Sequence, residues 1–191
     1  MALIVIAIGV SRNRSFKKKH DLFQKFAEEN SLGLAFHNPF NFRFYGNDPK
    51  NTVRIEPYRG LVSGSNSVKG TIFTLSLINP ELKTLKIFKL HEEYPWLSNL
   101  LPIDNAIQIK NNLGEKVQIQ TNDMLFSSFL LSQDIIIDLG VLFNRIDAGV
   151  IYIYGDELGC IIPYFVYEEG MYNTWGKVLD LLLNLKAELQ V

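Results

Sequence analysis

The sequence predicts an α+β fold, an antiparallel sheet packed against a long C-terminal helix, with an N-terminal helix and a central helix pair. Three observations carry that expectation. Residues 52–90 break into short β-rich runs separated by Gly, Asn and Pro. Val150–Tyr154 and Cys160–Tyr167 flank a glycine-bounded loop, Gly155–Gly159, as the strands of a hairpin do. From about Thr174 onward, Trp175, Val178, Leu179, Leu182, Leu185 and Leu189 share one helical face, which Leu181 and Leu183 widen. Strands followed by a terminal helix also suit a partly closed barrel capped by that helix, so a barrel stands beside the open sheet of roughly seven to nine strands.

Taken in order, the chain opens on MALIVIAIGV, apolar from Met1 to Val10. Ten helical residues rise only about 15 Å, half of a bilayer core. A signal peptide would carry its charges before the apolar stretch, not after it. Two readings remain. Leu3–Ile8 can be a buried strand, favoured by Ile4, Val5, Ile6 and Ile8. Alternatively, the segment is the remnant of a membrane anchor.

The next residues bear on that choice. Phe16, Leu22, Phe23, Phe26 and Ala27 form an amphipathic helix ending near Asn30, with Gly33 just beyond. Its lysines stand at the start and Glu28 and Glu29 at the end, against the helix macrodipole. The conflict eases if the helix continues upward to Met1. Arg12, Arg14, Lys17, Lys18 and Lys19 then become a basic collar suited to an anionic membrane surface. The chain divides accordingly into an apolar and basic segment, 1–14, and a single α+β domain, 15–191.

Ala35–Tyr45 reads AFHNPFNFRFY. Phe40, Phe42 and Phe44 alternate with Asn41 and Arg43, a period of two that places three rings on one face. Rings beside a cation can stack nucleobases. Arg43 alone supplies charge in this run, so a rigid connection packed on the core is the better reading, and no nucleic-acid partner is expected.

Thr52–Tyr58, Gly60–Ser63, Gly70–Ile78 and Leu82–Leu90 then read as successive strands. Gly64–Thr71 is a hairpin loop and not a phosphate loop, because Lys69 precedes its glycine and no helix follows. Ile107–Ile109 and Lys116–Gln120 make a short hairpin across Asn111–Gly114. Asn122 or Asp123 caps a helix carrying Met124, Leu125, Phe126, Phe129 and Leu130. Ser132 caps a second, with Ile135, Ile136, Leu139, Leu142 and Phe143 at helical spacing. Pro163 donates no ladder bond, which marks an edge or a bulge in the last strand.

Chemical signatures are sparse. His20, His37 and His91 are scattered, and His91-Glu92-Glu93 would point to alternate faces of a strand. Asp134 and Asp138 are one turn apart, but Asp134 better serves the helix N-terminus. The single cysteine, Cys160, suits a buried apolar role. No nucleophile elbow, dinucleotide glycine pattern or zinc spacing occurs, so neither metal nor cofactor is expected. A net charge of −1 gives no global pull toward nucleic acid.

FAEENSLGL at Phe26–Leu34, GSNSVKGTIFTLSL at Gly64–Leu77 and the Asn122–Leu189 block resemble a bacterial family of unknown function. That resemblance implies transmembrane helices ahead of a soluble α+β domain facing the cytoplasm, and no catalytic residue.

The leading functional expectation is a non-enzymatic interaction module at the cytoplasmic face of a bacterial membrane, with an anionic membrane surface and a protein as partners. The alternative is a binder of small hydrophobic, lipid-like ligands, its cavity between sheet and helix lined by Phe73, Tyr152 and Leu182. An enzyme without a recognisable motif is the third.

Overall fold

A computed structural model describes residues 2–46, 52–59, 68–78, 83–90, 95–98, 100–109, 116–123, 133–163 and 170–189. Its first element, α1, is one helix over Ala2–Glu29. The strand expected at Leu3–Ile8 is therefore replaced by helix, which moves Lys17–Lys19 from a helix start to its middle and removes most of their conflict with the dipole. The helix stops where Asn30 Nδ2 donates back to the Phe26 carbonyl at 2.9 Å. Ser31 then takes a left-handed φ of 54°, and its N–H donates to the Glu28 carbonyl at 3.2 Å.

The reversal at Ser31 sends β1 (Leu32–Asn38) back along α1. It pairs with β2 (Asn41–Gly46), so the aromatic run is a β-hairpin and not a connection. The turn holds because Asn38 Oδ1 accepts the Phe40 N–H at 2.9 Å, as Asx turns do. Only Phe42 and Phe44 share the core face. Phe40 lies in the turn and is 54% exposed, which corrects the expectation of three rings on one face.

The remaining strands are β3 (Val53–Arg59), β4 (Val68–Ser76), β5 (Leu85–Lys89), β6 (Ile107–Ile109), β7 (Val117–Thr121), β8 (Val150–Tyr154) and β9 (Glu157–Ile162). They join β1 and β2 in one nine-stranded antiparallel sheet, ordered β1-β2-β3-β4-β9-β8-β5-β7-β6. The sheet is open, with β1 and β6 at its edges, so the barrel variant is set aside.

The β8–β9 hairpin turns on Gly155 and Asp156, with Tyr154 paired to Glu157. Gly155 supplies the φ of 58° that this tight turn requires. The last strand thus starts three residues before Cys160. It ends at Ile162, so Pro163 terminates a central strand and does not mark an edge.

Two further helices complete the described residues, α2 (Gln133–Asn144) and α3 (Gly170–Leu189). Helix α3 begins four residues earlier than expected. Thr174 sits inside it, its hydroxyl donating to the Gly170 carbonyl at 3.2 Å. The first member of the expected helix pair, Met124–Leu130, lies outside the described residues, as do Gly60–Ser63, His91–Glu93 and Tyr164–Tyr167.

One sheet face carries the main core. Phe42, Phe44, Ile55, Phe73, Leu75, Cys160, Ile151 and Ile87 meet Phe23 and Phe26 of α1, Leu142 and Phe143 of α2, and Trp175, Val178 and Leu182 of α3. Alternation along each strand dictates this division. Trp175 is the hub. Its ring lies 5.7 Å from Phe23 and from Phe26, 5.6 Å from Phe42 and 6.0 Å from Phe73. Such ring pairs add about 0.5–1.5 kcal/mol each beyond buried area.

No helix among the described residues is long and apolar enough to cross a membrane. In α1 the apolar run ends at Val10, and Arg12, Arg14 and Lys17–Lys19 follow within the same helix. The membrane-spanning helices implied by the family resemblance are thereby corrected.

Candidate functional site

The face of the sheet opposite the helices is divided in two. Over β5, β8 and β9 it is covered by a strap that opens with a 3₁₀ turn, Pro95–Leu97. Leu97 inserts among Phe88, Val150, Tyr152 and Ile161, with Trp96, Leu100 and Leu101 around it. Gly149 makes this fit possible, since a Cβ there would stand 2.7 Å from Leu97 Cδ1. Lys86 is buried beneath the strap, 1% exposed. Its ammonium donates to the Ser98 carbonyl at 2.6 Å and lies 4.5 Å from the Phe88 ring. Burial lowers its pKa below the ordinary lysine range.

Tyr152 stands directly opposite Lys86 in the β8–β5 ladder. Its ring covers Gly159, where a Cβ would come within 2.2 Å of Tyr152 Cζ. Burial, then the charge of Glu157, pushes its hydroxyl well above the ordinary tyrosine range.

Over β1, β2 and β3 the same face is uncovered and forms a half-open groove of about 620 Å³. Ala35, His37, Asn41, Arg43, Glu56, Tyr58, Arg59 and Ile72 face it. Cross-strand pairing explains the assembly. Ala35 is opposite Arg43, and Glu56 is opposite Ile72. Glu56 is held from two sides, by Arg43 Nε at 2.8 Å and Arg54 Nε at 3.3 Å. Arg54 continues the chain of charges to Glu157 at 3.4 Å. Exposed pairs of this kind contribute about 0–1 kcal/mol each to stability, so they orient the arginines more than they hold the fold.

At the end of the groove, Arg59 Nη2 donates to the Phe40 carbonyl at 2.9 Å. Tyr58 forms its wall toward the strap, stacked on Trp96 with centroids 5.4 Å apart and 14° between planes. A guanidinium has five N–H donors. Arg43 and Arg59 each spend one of them on Glu56 and Phe40, which leaves donors for an anionic or hydroxyl-bearing group in the groove. Among the described residues no cluster of His, Cys, Asp and Glu is placed to hold a metal ion.

The residues singled out as cavity lining are not brought together. Phe73 and Leu182 are in the helix-covered core, each 0% exposed, whereas Tyr152 belongs to the cluster under the strap. Lys17 and Lys18 are exposed on α1, with Lys19 half-buried; the side chains of Arg12 and Arg14 lie outside the described residues. In the sequence Arg43 stands out only as a lone cation among rings. The groove residues Glu56, Tyr58 and Arg59 were missed, although Arg54, Glu56 and Tyr58 alternate with Val53 and Ile55 and so mark a polar face.

No protein-family model matches the chain, and no curated protein does. A solved structure does match. The crystal structure of the mycobacterial trehalose monomycolate transport factor A, TtfA, aligns over 87% of this chain and 91% of its own, at a TM-score of 0.55 and 8% identity. At that identity the likeness is one of fold.

Proposed function

We propose that this chain is a non-catalytic binding module for amphiphilic, lipid-like molecules, working at a membrane surface. The observation that carries the proposal is the groove on the helix-free face, where the Arg43–Glu56 pair crosses the middle, Ala35 of β1 and Ile72 of β4 lie to either side, and Arg59 stands at the end. Its volume of about 620 Å³ suits a head group with the first part of a chain. Binding fits better than acid–base chemistry, because both oxygens of Glu56 are engaged by arginines. Likeness of fold to a factor named for trehalose monomycolate transport agrees with this reading.

The ligand site proposed here differs from the one the sequence suggested. Between sheet and helices, side chains such as Phe44, Phe73, Val178 and Leu182 fill the space, all 0% exposed. The groove lies on the opposite face and opens to solvent.

Trp96 reports on the groove through its stack on Tyr58. In a Trp175→Phe background it is the only tryptophan, since the chain has two. Titration with lysophosphatidylglycerol below its micelle concentration should shift Trp96 emission saturably, and Arg43→Gln should weaken the response. An unchanged spectrum at all concentrations would contradict the proposal.

A further inference from the structure

We propose that the β1–β2 turn and the adjoining part of α1 form one docking surface for an anionic lipid bilayer. Three observations place the elements together. Phe16 of α1 packs edge-on against Phe36 at 5.4 Å, and His20 meets the same ring at 5.1 Å. Phe36 lies two residues before Asn38, which opens the turn that presents Phe40. Arg59 is tied to that turn through the Phe40 carbonyl. The turn thus shows Phe40, 54% exposed, with Arg59 tied to it, and the part of α1 packed on Phe36 shows Phe16, 40% exposed, followed by the exposed Lys17 and Lys18.

Charge along α1 is segregated in a way that favours this part of the helix. The lysines cluster at 17–19, while Glu28 and Glu29 stand at the other terminus, about 15 Å away along the axis. Asp21 is the nearest acid, and His20 Nδ1 lies 3.7 Å from it. Exposed phenyl rings flanked by basic side chains match the boundary between head groups and acyl chains, where rings lose water and cations meet phosphate. A nucleic acid is the poorer occupant, because the two rings sit on separate elements, α1 and the β1–β2 turn, and do not follow one another along a strand as a stacking row does. The groove opens beside this surface through Arg59, His37 and Asn41, so a docked molecule would face its lipid supply. The docking surface does not depend on the groove reading and can hold without it.

The test is flotation of the full chain with phosphatidylcholine vesicles, with and without phosphatidylserine, at low and high salt. Preferential, salt-sensitive binding to the anionic vesicles is expected. Lys17→Gln with Lys18→Gln should weaken it by about fivefold per lysine. Phe40→Ser should weaken it by about tenfold. Tyr154→Ser, at another exposed ring, should leave it unchanged. All these positions are exposed, and circular dichroism verifies that each variant folds. Equal binding by wild type and by both surface variants would assign attachment to residues 1–15 and overturn the proposal. Absence of vesicle binding, or binding of a single-stranded oligonucleotide in its place, would overturn it as well.

Discussion

Trp175 of α3 stacks on Phe23 of α1 with centroids 5.7 Å apart and 17° between the ring planes. The two residues come from opposite ends of the chain, and both rings sit on Phe42 and Phe44 of β2. One aromatic cluster thus fastens both terminal helices to the sheet behind the groove. Trp175→Ala should cost about 3–5 kcal/mol of unfolding free energy, measured by urea denaturation. A loss below about 1 kcal/mol would mean that the cluster collapses around the cavity or that α3 is not docked through this ring.

Leu182 and Leu183 are neighbours with opposite fates, 0% and 39% exposed. Leu182→Ala should lower stability by about 2–5 kcal/mol. Leu183→Ala should change it by less than about 1 kcal/mol. Equal losses at both positions would contradict the orientation of α3.

Tyr152 and Gly159 are coupled through contact, since the ring occupies the space a side chain at Gly159 would need. Gly159→Ala should destabilise by about 1–3 kcal/mol through overpacking. In a Tyr152→Ala background the same substitution should cost at least about 0.5 kcal/mol less. Additive losses in that double-mutant cycle would place the ring elsewhere.

Cys160 is 0% exposed, and burial pushes its thiol up to about 12. Its folded state therefore holds a proton that the unfolded chain releases near pH ~8.5. Stability from this group is complete below that pH and is lost as pH rises, by at most about 1.4 kcal/mol per unit. Tyr152 acts with the same sign above its own unfolded value. Lys86, whose pKa is lowered, acts with the opposite sign. Subtracting a Cys160→Ala variant isolates the thiol: the wild-type advantage should shrink as pH rises above about 8.5. An advantage that stays flat up to about pH 10 would show an exposed thiol of ordinary acidity.

Much of this architecture was legible because strand alternation and helix periodicity are local signals. Trp175, Leu179, Leu182 and Leu185 announced the buried face of α3, and Val150–Tyr154 announced β8. The β1–β2 hairpin was not legible, because the period of two among the phenylalanines runs on through the turn at Phe40 and conceals it. The continuity of α1 was only indirectly visible, in lysines placed badly for a helix start. The groove was hidden for a different reason. Its members lie on β1 to β4, and only the pairing of Arg43 with Glu56 and of Glu56 with Ile72 brings them to one surface. Spacing along the chain carries no trace of that register.

Arg43 and Arg59 on the groove wall are the centre of the functional account, and native mass spectrometry of the full chain purified from cells tests it most directly. The wild type should carry a co-purified adduct of lipid mass. An Arg43→Gln, Arg59→Gln variant of unchanged circular dichroism should lose that adduct. A single ligand-free mass for the wild type, or an adduct retained in full by the double variant, would contradict the groove as a lipid-binding site.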